Sequence, residues 1–142
     1  MNTNSIPPQV VCGVLRNARG KLLAAQRAPG YKHAGWWEFP GGKVQSAELP
    51  KKALAREWRE ELQLSIQVRH CLGTHPLGSS PVGLKMLAAY QVELLGPLNP
   101  TLTEHSRYAW FTFKELETLQ LLPADLALLP QIERNLIRWA HP

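Results

Sequence analysis

The sequence predicts an α/β protein in which a mixed sheet carries helices on both faces. Strand-like apolar runs recur along the 142 residues, and two helical stretches, Glu48–Leu62 and Ala124–Trp139, are interspersed among them rather than set apart in a block. Hydrophobic residues make up 44% of the chain and charged ones 19%, as in an ordinary soluble globular protein. The length fits a single domain over residues 1–142, with residues 1–8 as a flexible start.

Val10-Val11-Cys12-Gly13-Val14-Leu15 and Leu22-Leu23-Ala24-Ala25-Gln26 read as two strands around a polar turn at Asn17–Gly20. Arg27–Gly35 is a loop. In Gly35-Trp36-Trp37-Glu38-Phe39-Pro40-Gly41-Gly42-Lys43 a short aromatic run ends in a proline and two glycines, which lets backbone carbonyls and amides come close to a ligand. The Glu48–Leu62 helix holds Pro50 in its first turn, where a missing N–H is harmless, and Ala53, Leu54, Trp58 and Leu62 form its apolar stripe. Ser65–Leu72 and Leu84–Leu95 read as strands joined by a Gly-, Ser- and Pro-rich loop, Gly73–Gly83, placed to border a substrate. Arg107–Phe111 is a further strand. The final helix contains Pro130, which is expected to kink or divide it.

The start of the chain has no basic region followed by an apolar stretch, and no run of about 18 apolar residues occurs later, so a cytoplasmic protein with no membrane partner is expected. Cys12 and Cys71 lie outside any CxxC or Cys/His cluster and read as reduced thiols. His33, His70, His75, His105 and His141 show no metal-ligand spacing. Surface or loop roles are preferred, with His33 and His105 the possible exceptions. The net charge of +5 persists although several of only eleven acidic residues crowd into one segment, which suits an anionic small molecule. There is no long Lys/Arg run or aromatic-basic repeat to mark a nucleic-acid track. Nothing in the chain speaks to oligomeric state.

The crowded segment is Arg56-Glu57-Trp58-Arg59-Glu60-Glu61. On a helix Glu57 neighbours Glu60 and Glu61, and like charges at such spacing repel by roughly 0.2–0.5 kcal/mol per pair. Arg56 neutralises part of this. Hard carboxylate oxygens beyond that suit Mg²⁺ or Mn²⁺. Taken alone the string is an ordinary solvated helix face; the glycine-rich loop just before it favours a metal–pyrophosphate site.

Gly42, Glu48, Arg56, Glu57, Glu60, Glu61 and Leu64 resemble the Nudix box, GX5EX7REUXEEXGU with U a bulky apolar residue. Two positions depart from it. Trp58 stands where an aliphatic residue is usual. Gln63 replaces a glycine that commonly turns left-handed after the helix, at roughly 1 kcal/mol if positive φ is needed. Glu38–Lys43 is similar to the MutT-type branch, and Leu122-Pro123-Ala124-Asp125 resembles its CTP-pyrophosphohydrolase relatives.

The resemblance implies a Nudix-type α/β/α sandwich and Mg²⁺-dependent cleavage of a nucleoside diphosphate linked to another group. It assigns metal contacts to the Gly41 carbonyl and to Glu57, Glu60 and Glu61, with Arg56 orienting the glutamates and Glu48 bracing the loop. Glu57 or Glu104 is the general base. Arg27, Lys43, Phe39 and Asp125 become substrate contacts, Phe39 beside the base and Asp125 at its edge. Asp125 is equally suited to cap the last helix. Trp36 or Trp37 either stacks on a base or fills the core. The leading expectation is hydrolysis of a nucleoside triphosphate, an oxidised purine such as 8-oxo-dGTP or a CTP/dCTP-type substrate, to monophosphate and pyrophosphate. Removal of pyrophosphate from an RNA 5′ end and a non-catalytic recognition module are the alternatives; the intact glutamates argue against the module.

Overall fold

The computed structural model describes residues 7–80 and 83–139. The expected flexible start therefore lies largely outside the described residues. The elements run β1 (Val10–Leu15), β2 (Leu22–Arg27), β3 (Trp37–Glu38), β4 (Gly41–Lys43), α1 (Pro50–Leu62), β5 (Ile66–Ser80), β6 (Gly83–Leu94), β7 (His105–Phe111), α2 (Phe113–Thr118) and α3 (Pro123–Trp139).

The strands divide into a four-stranded sheet, β4-β1-β6-β5, and a three-stranded sheet, β3-β2-β7. The first is mixed, because β1 runs parallel to β6 and antiparallel to β4. The second is antiparallel throughout. The sequence suggested one mixed sheet; hydrogen bonding separates two. Strand β1 is buried on both faces, which explains its unbroken apolar run. Cys12 and Val14 face a core completed by Leu128, Ile132 and Leu136 of α3. Val11 and Leu15 face another completed by Ala53, Leu54, Trp58 and Leu62 of α1. Helices thus cover both sides, as predicted.

Three local expectations change. Helix α1 begins at Pro50, with Leu49 in the cap position, so Glu48 lies before the helix rather than in it. The Gly73–Gly83 loop is largely strand, since β5 continues to Ser80 and pairs with β6 through several bulges. The side chains of α3 make this possible. Gln131 exchanges hydrogen bonds with the Thr74 backbone (3.1 and 3.2 Å), and Asn135 Nδ2 donates to the Leu72 carbonyl at 2.7 Å, supplying partners that the bulged strand lacks. Helix α3 also passes through Pro130 as one element, so the predicted division does not occur. Helix α2 was not predicted, although its start is legible in Thr112-Phe113-Lys114-Glu115. Thr112 and Glu115 form a reciprocal capping box.

Among the described residues no helix is long and apolar enough to cross a membrane. Both cysteines are free, Cys12 buried and Cys71 exposed.

Candidate active site

The pairing of β4 with β1 sets Gly41 opposite Cys12 and Gly42 opposite Val11. The approach is tight enough that a methyl group on Gly41 would meet the Val11 carbonyl and lie 2.6 Å from Cys12 Cα. Pro40, one residue earlier, is held by its carbonyl, which accepts both Gly13 N–H (2.8 Å) and the indole Nε1–H of Trp58 (2.8 Å). This accounts for tryptophan in place of an aliphatic residue. Trp58 is fully buried, its ring occupies space that any side chain at Gly13 would need, and its one donor braces the glycine turn.

The second departure also fits the backbone. Gln63 ends α1 in the left-handed region (φ 55°, ψ 37°), and its N–H returns to the Arg59 carbonyl while Leu64 N–H reaches that of Trp58. The position keeps its geometry without glycine.

Arg56 is the hub of the acidic cluster. Its Nε and Nη2 donate to the two oxygens of Glu48 at 2.8 and 3.0 Å, and Nη1 donates to Glu57 at 2.8 Å and to Glu60 at 3.2 Å. Nη2 also reaches the Lys43 carbonyl at 3.0 Å, which ties the glycine turn to the helix. The Arg56 hydrogen bonds hold the Glu48 carboxyl below its ordinary range, helped by the Gln45 amide. Arg56 thus links Glu48, Glu57 and Glu60 to the backbone of the glycine turn. The three box glutamates do not share one environment: Glu61 is buried, Glu57 is largely covered, and the Glu60 side chain is 59% exposed. Successive helical positions diverge by about 100°, so Glu60 cannot follow Glu61 inward.

Glu61 stands out electrostatically. Burial, followed by the negative charges of Glu38, Glu104 and Glu57 and a hydrogen bond with Glu104, pushes its carboxyl up to about 10. Its Oε2 is buried without a hydrogen-bond partner among the described residues. The predicted loop carboxylate, Glu104, is thus at Glu61. Among the described residues no three His, Cys, Asp or Glu side chains are already gathered as ligands. Arg56 engages Glu57 and Glu60. Even so, an orphaned carboxylate oxygen amid surplus negative charge is a donor set suited to a hard cation.

Beside this cluster a cleft of about 650 Å³ is lined by Arg27, Phe39, Gly41, Gly42, Lys43 and Asp125, together with Cys12, Glu38, Leu77 and Lys85. The predicted substrate contacts meet there. Asp125 is buried in the first turn of α3, and its Oδ2 accepts Phe39 N–H at 2.9 Å. With the helix starting at Pro123, Asp125 is its third residue, so the capping alternative is replaced by a bond to another element. Burial lifts its carboxyl to about 7 against the lowering effect of the Phe39 amide. Trp37 packs into the core edge-on to Phe111 (5.1 Å), and neither Trp36 nor Trp37 lines the cleft. Trp37 thus takes the core-filling option.

Three residues of the cleft, Glu38, Leu77 and Lys85, were missed by role. Glu38 Oε2 accepts from Arg27 Nη1 (3.0 Å) and pairs with His105 Nε2 (2.7 Å); Glu38 lines the cleft, and its charge acts on Glu61. Its only sequence signal was membership in the turn motif. Leu77 and Lys85 reach the cleft because β5 and β6 extend as a long hairpin, which the composition concealed.

An α/β/α sandwich with a glycine turn facing a carboxylate-bearing helix defines the Nudix class of hydrolase. The NUDIX domain model matches residues 7–139. The chain is 38% identical over 130 residues to "Putative 8-oxo-dGTP diphosphatase 2" of Mycobacterium tuberculosis (strain H37Rv), covering 89% of each. It is 35% identical over 121 residues to the CTP pyrophosphohydrolase of Escherichia coli K12, covering 85% of this chain and 87% of that one. The solution structure of the E. coli ORF135 protein superposes with a TM-score of 0.76 at 32% identity, covering 100% of this chain and 99% of that one. The chain belongs to the NUDIX domain family, and it is a Nudix hydrolase.

Proposed function

We propose that this enzyme hydrolyses a nucleoside triphosphate to the monophosphate and pyrophosphate, using Mg²⁺, or Mn²⁺ in its place. The observation that carries this reading is the cleft itself. It is large enough for a nucleotide, and its lining combines the cations Arg27 and Lys43 with the glycines Gly41 and Gly42, Phe39 and Asp125, on the turn that Arg56 ties to α1. Relatives named 8-oxo-dGTP diphosphatase and CTP pyrophosphohydrolase make those two nucleotide types the first candidates.

The Gly41 carbonyl, Glu57, Glu60 and Glu61 would hold the metal, which when bound supplies charge neutralisation of the diphosphate and a more acidic water. Arg27 and Lys43 draw the phosphates in, and Arg56 keeps Glu57 and Glu60 oriented through charge-assisted bonds. Glu104 and Glu57 compete for the role of base, the group that takes a proton from the attacking water; Glu104 lies against the buried Glu61 carboxyl. Phe39 forms a wall for the base. Asp125 reads its edge and, with a carboxyl near neutrality, can serve as donor or acceptor.

The test is a kcat/KM comparison, with Mg²⁺, across ordinary and oxidised nucleoside triphosphates and a 5′-triphosphate RNA, with product identification. Monophosphate and pyrophosphate from one nucleotide class support the proposal. Preference for the RNA end replaces it with RNA 5′ processing, and absence of any turnover leaves a recognition module.

A further inference from the structure

We propose that His105 is a positioning residue that fixes Glu104 beside Glu61 by pinning the start of β7 to Glu38. This rests on the hydrolase reading above.

The backbone gives the first reason. Strand β7 pairs Gln26 with Arg107 but Arg27 with His105, so Ser106 is an extra, bulged residue. Along regular β7, Ala109 and Phe111 face the core beneath α3, while Tyr108 and Trp110 face the core beneath α1. Strict alternation would put position 105 with Ala109. The bulge reverses its side and aims His105 at Glu38, whose strand partner Ala25 shares a face with Arg27.

The contact is built rather than incidental. The His105 side chain is 0% exposed, and its Nε2 lies 2.7 Å from Glu38 Oε2, the oxygen that also accepts from Arg27. A carboxylate paired with a guanidinium accepts, so Nε2 carries the proton and donates. Nδ1 is buried with no partner, so the Glu38 bond is the ring's one anchor among the described residues.

Glu104 is the next residue back. On its other side Thr103 is tied to α1, N–H to the Glu61 carbonyl at 3.2 Å and Oγ1 to the same carbonyl at 3.3 Å. The Glu104 carbonyl accepts Ala28 N–H at 3.0 Å. Main-chain bonds thus fix where the segment lies. The His105–Glu38 bond fixes how it turns, and hence where the Glu104 carboxyl points.

The experiment compares His105→Gln with His105→Asn. A glutamine amide reaches the place of Nε2, whereas an asparagine amide reaches only that of Nδ1. His105→Asn should lower kcat by about 10- to 100-fold, the usual cost of losing an outer partner of a catalytic group, with KM nearly unchanged. His105→Gln should recover most of it, and thermal unfolding should show both variants folded. Independently of turnover, ¹⁵N NMR of the unmodified protein should show a slowly exchanging Nε2–H. Equal kcat in both variants and the parent, equal loss in both, or a ring with Nδ1 protonated and Nε2 bare would overturn the inference. Should His105→Asn not fold, the ring spectrum and His105→Gln decide it. Turnover by the parent protein in the same assay separates this failure from failure of the hydrolase reading itself.

Discussion

Gly42→Ala is the sharpest single perturbation of the site. Gly42 does not adopt positive φ, so its backbone tolerates alanine. The added methyl, however, would lie 2.6 and 2.8 Å from the two carboxylate oxygens of Glu57. That is roughly 1 Å inside ordinary van der Waals contact. The carboxylate must swing away, giving up its 2.8 Å bond to Arg56 and its place facing the turn. A misplacement of about 1 Å at a catalytic group can cost on the order of 100-fold, equivalent to about 2.7 kcal/mol in the barrier. Because the obstacle is the end of a side chain, global stability should fall by no more than about 1 kcal/mol. Gly41→Ala is the contrast, since its methyl meets the β1 backbone, which cannot move aside, and folding itself should suffer. The assay pairs kcat/KM on the preferred nucleotide with a denaturant midpoint for each variant. Parental activity in folded Gly42→Ala, or equal instability of the two variants, would refute the packing argument.

Gln63→Gly removes a left-handed non-glycine residue (φ 55°) and should raise Tm by about 2–4 °C, read by calorimetry, with unchanged turnover. Glu61→Gln should abolish turnover yet leave a folded protein; near-parental rates would sink the metal assignment. For Asp125 the folded carboxyl lies near 7, above its unfolded value, so the protonated form is the one that folding favours. Stability held at acid pH should therefore be lost as pH rises from about 4 through 7, in metal-free buffer. Asp125→Asn keeps an acceptor for Phe39 N–H and should make that fall shallower, the remaining slope belonging to Glu61, whose carboxyl is also raised, as measured by urea midpoints.

What could be read from the chain was whatever depends on local pattern. The bounds of β1, the α1 stripe, the spacing of Glu57, Glu60 and Glu61, and the turn before them all express periodicities that a single segment carries. The remainder was fixed by partners distant in sequence. Gly73–Gly83 has a loop's composition and is nevertheless largely strand, because it pairs with β6 and Gln131 of α3 satisfies the Thr74 backbone. Asp125 sits where a cap would be plausible, and only the fold reveals that Phe39 N–H is its partner. His105 pairs with Glu38 because of a bulge at Ser106, a feature with no sequence signature here.

The two departures from the box teach different lessons about substitution. At Gln63 the backbone conformation survives and the side chain bears the strain, so the change weighs on stability alone. At Trp58 the larger side chain is matched by Gly13, where any Cβ would meet the indole, and the ring brings a donor that an aliphatic residue lacks. That donor shares the Pro40 carbonyl with Gly13 N–H, one residue before the carbonyl assigned to the metal. Gly13 and Trp58 therefore act as a pair: enlarging the first should displace the second, release Pro40 and loosen the turn. The box position that departs most in chemistry thus takes on work in holding the site, while the one that departs in backbone preference does not.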